Sequence, residues 1–199
     1  MTPEAERGPS HPVPSRIPGE APASAARPGT RKAPRPGEVR AVLGFLGRFA
    51  GGWIATLVVL SFVPAIERWA VRHTISSLLF VTHLFRVASA AAGGAVMIAG
   101  VSIEIVPDCT PLMPTAALWI AIAAFPAPWR SRLLGLATGA LLLWLYNMAR
   151  ILALVPVLAH RPEIFEFIHV YLWQTVTLLV VFAMFLLWLK LQQPKAAHP

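Results

Sequence analysis

Four long apolar stretches constrain the fold of this chain more than any other feature. A helix needs about 20 mostly apolar residues to cross the hydrocarbon core of a membrane. The stretches that approach or exceed this length cover residues 45–66, 112–129, 133–158 and 169–189. The composition agrees, because 56% of the residues are hydrophobic and the mean hydropathy is +0.63, too apolar for an ordinary water-soluble domain. The sequence therefore predicts an all-α membrane protein with a bundle of about four transmembrane helices.

The first forty residues have a different composition. Pro, Ala, Gly, Ser and Arg dominate, no apolar periodicity is present, and runs such as residues 31–36 cannot build a core. We predict a disordered, basic, Pro-rich cytoplasmic tail over residues 1–40 and a transmembrane domain over residues 41–193. No short apolar stretch with a small-residue cleavage site lies near Met1, so a cleaved signal peptide is not expected. The net charge of +8 is divided between this tail and scattered basic residues, which does not predict a nucleic-acid partner.

Short basic segments predict which side of the membrane each loop faces. Arg40 precedes the first span, Arg130 and Arg132 lie between the second and third, and Lys190 follows the fourth. Because cytoplasmic loops are enriched in Lys and Arg, this pattern places both termini inside the cell. Residues 67–108 and residues 159–168 are then the two outer segments.

The first outer segment contains two different patterns. Residues 67–89 read as an amphipathic helix along the membrane interface. Residues 90–106 are nearly uncharged and could form a fifth span, but Gly93, Gly94 and Gly100 interrupt them and residues 101–105 alternate like a strand. We favour the interfacial helix followed by a possible short β-hairpin. The basic residues of the amphipathic helix, histidines included, are Arg68, Arg72, His73, His83 and Arg86.

Three polar residues from different segments fall at one predicted depth. Arg150 lies eighteen residues after Arg132, or about 27 Å along a helix. Cys109 and His169 each lie twenty-one residues, or about 31 Å, from the basic residue at the inner end of their span. All three therefore reach the outer boundary of a core about 30 Å thick. We expect Cys109, Arg150 and His169 to meet at the outer rim of the bundle.

Each of these residues also has a simpler interpretation. An Arg within a span is costly and by default marks a functional site, yet Arg150 at this depth could also extend to the interface. Asn147 lies three residues earlier and shares a helix face with Arg150. This pair favours a polar face that points into the bundle interior. His169 taken alone could belong to an interfacial aromatic belt. Asp108 is expected to cap the next helix or to hold the Arg.

Cys109 is the one cysteine of the chain, in a Pro-Asp-Cys-Thr-Pro turn. A single cysteine excludes an intrachain disulfide and a cysteine-based metal site. A nearby cation or imidazolium favours its reactive thiolate. A metal site built from histidines is not predicted either, because the spacings match no ligand pattern. The histidines considered for it are His73, His83, His160 and His169.

The ordered motifs resemble the exosortase and archaeosortase family of membrane transpeptidases. They are Cys109-Thr110 before one span, residues 147–151 (Asn-Met-Ala-Arg-Ile) late in the next, and residues 167–169 (Phe-Ile-His) at the start of the last. The resemblance covers roughly residues 45–189. Pro111 stands where family members often have Gly, and about four spans are fewer than the longer members have, so the chain resembles a compact variant.

The resemblance implies a site, a location and partners. Cys109 would attack a peptide carbonyl and form a thioester, Arg150 would stabilise the oxyanion, His169 would exchange protons, and Asn147 would position Arg150. The location would be the bacterial inner membrane, with the site on its outer face. The partners would be the lipid bilayer, exported proteins that end in a motif, a membrane helix and a basic cluster, and a glycan or lipid acceptor. No cofactor and no metal are implied.

Two other function classes compete with this interpretation. A noncatalytic membrane subunit of envelope or exopolysaccharide assembly would use the polar trio for helix packing. A small transporter would place its polar residues near the midplane, which the predicted depths disfavour.

Overall fold

A computed structural model describes residues 36–192, and these residues are mostly helical. The predicted tail therefore falls largely outside the described residues, although residues 36–40 belong to the first helix. A 3-10 turn, Pro107–Cys109, joins the sheet to the third helix, and a π-helical segment, Phe167–Leu172, joins the last two helices. The helices and strands are α1 Pro36–Phe62, α2 Pro64–Leu84, β1 Ser89–Ala92, β2 Ala95–Ile98, β3 Val101–Glu104, α3 Leu112–Ala124, α4 Trp129–His160, α5 Pro162–Glu166 and α6 Trp173–Gln192.

Three helical segments in this part of the chain are long and apolar enough to cross a membrane. They cover Gly37–Phe62, Trp129–His160 and Pro162–Gln192. The most apolar windows of the first and third have no fully buried residues, and many of their Leu, Val and Phe side chains are exposed. Because so large an exposed apolar surface is typical of helices in lipid, these three segments indicate a membrane protein.

The second predicted span is a shorter helix than expected. Helix α3 has 13 residues, or about 20 Å, against the roughly 30 Å of a hydrocarbon core. It ends at Ala124, and Phe125 is already extended. Pro126 and Pro128 explain this end, because proline lacks the amide donor and disfavours helical geometry in the residue before it. Helix α3 packs against α1, α4 and α6.

Helix α2 confirms the amphipathic pattern of the first outer segment. Pro64 separates it from α1, and Val63 between them leaves helical geometry. One face of α2 is buried, including Thr74, Leu78 and Thr82, while Arg68 and Arg72 are exposed. Trp144 of α4 donates a hydrogen bond to Ser77 Oγ over 3.0 Å, which ties α2 to the bundle.

A small antiparallel sheet occupies the region that could have been a fifth span. Its strand order is β1-β2-β3, so it has one strand more than the predicted hairpin. Ala99 and Gly100 both have positive φ, 50° and 83°, as a tight two-residue hairpin turn requires. The Ser-Ala-Ala-Ala sequence of β1 has no alternation that could have revealed the extra strand.

The sheet, α2 and α4 enclose a common core in which Cys109 is buried. Leu78 of α2, Val96 of β2, Ile103 of β3 and Ile151 of α4 pack in this core. A second core lies between α3, α4 and α6 around Leu118, Leu143 and Trp188. The first core therefore positions the cysteine turn against the middle of α4.

Candidate functional site

Several hydrogen bonds fix the turn that carries Cys109. The Cys109 amide donates to the Val106 carbonyl over 2.9 Å, and Thr110 Oγ1 donates to the Pro107 carbonyl over 2.7 Å. Another comes from α4, where Asn147 Nδ2 donates to the Cys109 carbonyl over 2.9 Å. Asn147 is 2% exposed and Cys109 is 6% exposed, so this contact is buried. The cysteine is therefore held at a defined position beside α4.

Arg150 lies one turn after Asn147 on α4. Its side chain is 6% exposed, and its Nε is buried without a hydrogen-bond partner among the described residues. Buried donors are normally paired, since an unpaired one costs about 1–3 kcal/mol. Arg150 thus presents an unsatisfied donor and a positive charge next to the cysteine.

His169 reaches Cys109 from the π-helical segment. Its Nε2 lies 4.0 Å from Cys109 Sγ, and its ring stacks on Phe165 with centroids 5.5 Å apart. Its Nδ1 is buried and has no partner within residues 36–192. A π-helical turn within an α-helix is rare and often marks a functional site. The segment holds the imidazole where it can exchange a proton with the thiol.

A cavity of about 180 Å³ brings the three residues together. Cys109, Arg150 and His169 all line it. Phe165 and the end of the sheet, residues 102–106, form other parts of its wall, and α4 adds Ile151, Leu154 and Leu158. The cavity is large enough for a short piece of peptide backbone but not for a folded domain.

The protonation of Cys109 follows from its surroundings. Burial raises the pKa of the Cys109 thiol above its ordinary value. A backbone hydrogen bond from Val106 and the charge of Arg150 lower the pKa, while Asp108 and Glu104 raise it further. Because burial dominates, the thiol is protonated at neutral pH and needs a base to react, and the imidazole of His169 is adjacent.

The sequence-based predictions differ from the structure in two contacts. Asn147 bonds the Cys109 carbonyl, whereas we expected it to position Arg150. Asp108 neither caps α3 nor forms an ion pair with Arg150 among the described residues. Thr110 accepts a 3.4 Å hydrogen bond from the Leu112 amide at the start of α3 instead.

Sequence reasoning missed two parts of the cavity wall. Phe165 stacks on His169 but gave no signal beyond its aromatic character. Strand β3 lines the cavity, and its alternating pattern directly before the Pro-Asp-Cys turn could have suggested this position.

Within residues 36–192, no group of three or more His, Cys, Asp or Glu side chains could hold a metal ion. No family model, curated protein or solved structure matches this chain.

Proposed function

We propose that this chain is an exosortase-like cysteine transpeptidase or peptidase of the bacterial inner membrane. It would cleave exported proteins at their C-terminal sorting signals on the outer face of the membrane. The protein, held as a thioester, would then be transferred to a glycan, a lipid or water. The observation that carries the proposal is the 4.0 Å approach of Cys109 Sγ and His169 Nε2 in a cavity also lined by Arg150. The motif resemblance adds the substrate class, and both termini would be cytoplasmic.

In this mechanism the first half-reaction forms a thioester. His169 takes the thiol proton of Cys109, and the sulfur bonds to the peptide carbonyl carbon while the electron pair moves to oxygen. Arg150 stabilises this oxyanion, and the buried, unpaired Nε is a donor that such an oxygen could satisfy. The carbon–nitrogen bond then breaks, and His169 gives the proton to the leaving amine.

The second half-reaction regenerates the thiol. The hydroxyl or amine of an acceptor loses its proton to His169 and attacks the thioester carbonyl. The carbon–sulfur bond breaks, and the proton returns from His169 to the sulfur. A water molecule in place of the acceptor would make the chain a peptidase.

The test compares Cys109→Ala and Cys109→Ser in cells that contain a tagged protein ending in a motif, a membrane helix and a basic cluster. Both variants should abolish processing, because neither side chain supplies a thiolate. The wild-type chain should also yield an acyl adduct on Cys109 by mass spectrometry. Continued processing by Cys109→Ala would refute the enzyme and would favour a noncatalytic subunit in which these residues serve packing.

A further inference from the structure

Within residues 36–192, the outer edge of strand β3 has no partner strand. β3 is the last strand of the sheet and pairs with β2 alone. The Ile105 amide donates to the Gly94 carbonyl over 2.9 Å, which identifies one hydrogen-bonded residue pair. Such pairs alternate along an antiparallel ladder, so Val101 and Ile103 also bond to β2. The amide and carbonyl groups of Ser102 and Glu104 therefore point away from the sheet.

This open edge belongs to the wall of the cysteine cavity. Residues 102–106 line that cavity together with Cys109, Arg150 and His169. The opposite edge of the sheet, at β1, contributes no residue to it. Unpaired strand edges readily pair with another chain, and unpaired backbone groups are costly close to a membrane core. The cavity thus combines a candidate nucleophile with main-chain donors and acceptors that pair with no other strand in the described part of the chain.

We propose that the substrate peptide binds as a fourth strand along β3. Its main chain would bond to the amides and carbonyls of Ser102 and Glu104 and place the reacting carbonyl at Cys109. This inference rests on the proposed function and deepens it, because it specifies an extended segment as the substrate form. Recognition through the main chain tolerates varied side chains at these positions.

The experiment measures alkylation of Cys109, the one cysteine of the chain, in the full-length protein in detergent. The probe is acetyl-tetraalanine chloromethyl ketone, and chloroacetone is the control reagent without a peptide. In both reactions the sulfur bonds to the methylene carbon, chloride leaves and the thiol proton passes to the buffer. Intact mass spectrometry follows both rates. We expect the peptide reagent to react at least about tenfold faster, because it alone can pair with β3.

Two matched variants and a methylation series locate the binding edge. Glu104→Pro removes an amide that points outward from β3, and Ala91→Pro removes an outward amide at the β1 edge. Glu104→Pro also removes a charge that raises the pKa of Cys109, so the readout is the ratio of the peptide rate to the chloroacetone rate, in which a change of thiol reactivity cancels. This ratio should fall by about tenfold in Glu104→Pro and stay at the wild-type value in Ala91→Pro. On the wild-type chain, N-methylation of the probe at alternate residues should slow it, and methylation at the intervening residues should not.

The outcomes separate the inference from the proposed function. Equal rates for the two reagents, or an N-methylation series without alternation, would refute strand addition even if Glu104→Pro fails to fold. Absence of reaction with chloroacetone as well would overturn Cys109 as the nucleophile, and with it both proposals.

Discussion

Asn147 joins the cysteine turn to α4 through one buried hydrogen bond to the Cys109 carbonyl. We predict that Asn147→Ala lowers the free energy of unfolding by about 1–3 kcal/mol, because a buried carbonyl loses its donor. The turn would also shift, so the rate at which iodoacetamide alkylates Cys109 should change by about tenfold or more. Chemical denaturation in detergent and intact mass spectrometry measure the two effects.

Tyr146→Phe provides the control for Asn147→Ala. Tyr146 is the neighbour of Asn147 in α4, but its side chain forms a 2.9 Å hydrogen bond with Thr177 of α6 and not with the cysteine turn. Tyr146→Phe removes this bond. This variant should leave the alkylation rate of Cys109 unchanged. Equal alkylation rates in Asn147→Ala and wild type would show that the bond does not position the cysteine.

The pH dependence of Cys109 alkylation tests the electrostatics of the cavity. Because burial raises the pKa of Cys109, the rate should keep rising with pH beyond the range of an exposed thiol. Arg150 lowers the pKa and Asp108 raises it, so Arg150→Gln should shift the midpoint to higher pH and Asp108→Asn to lower pH. A rate profile with iodoacetamide gives each midpoint. Shifts of the same sign in both variants would contradict this assignment.

The convergence of Cys109, Arg150 and His169 was predictable, since their distances along the chain from the inner basic residues place all three at one depth. Their shared cavity agrees with that expectation. The partner of Asn147 was not predictable, because the bond to Cys109 depends on how the turn folds back onto α4. Phe165 was missed for the same reason, as stacking requires the local π-helical geometry.

At the scale of the elements, two glycines of α4 allow close packing of its neighbours. A Cβ at Gly135 would lie 2.5 Å from Trp188 Nε1 of α6, and one at Gly139 would lie 2.7 Å from Leu118 of α3. Small residues four apart often mark close helix contacts in membranes. We predict that Gly135→Ala lowers the free energy of unfolding by about 1–3 kcal/mol, because the rigid indole must move.

Gly47→Ala in α1 is the matched control, since a Cβ there meets nothing within 4 Å. It should leave stability unchanged or raise it by up to about 1 kcal/mol through helix propensity. Thermal unfolding in detergent, followed by circular dichroism, compares the two variants. Equal melting temperatures would show that the contact between α4 and α6 does not depend on Gly135.

Apolar length predicted α1, α4 and the last helical segment well, because bilayer thickness fixes the length of a spanning helix. It failed at residues 112–129, where hydropathy continues through Pro126 and Pro128 although the backbone cannot remain helical there. The amphipathic helix and the sheet followed from charge spacing, glycines and alternation. Strand β1 did not, because three alanines fit a helix or a strand equally well.

For the whole molecule, α3 and the extended residues after it bear on the membrane topology. Helix α3 contributes about 20 Å, and residues 125–128 contribute about 13 Å if fully extended. Together they can traverse a core of about 30 Å, although α3 alone cannot. The sheet and the start of α4 would then lie on opposite sides of the membrane, with Arg130 and Arg132 inside.

Cysteine labelling tests this topology in a Cys109→Ala background. Met97→Cys in β2 and Trp129→Cys at the start of α4 replace side chains that are 52% and 68% exposed. In intact spheroplasts, a membrane-impermeant maleimide should label Met97→Cys. It should label Trp129→Cys only after permeabilisation, because the adjacent arginines retain that loop in the cytoplasm. Labelling of both cysteines in intact spheroplasts would mean that α3 does not carry the chain across, and the polar cavity would then have to be placed relative to α4 and α6 alone.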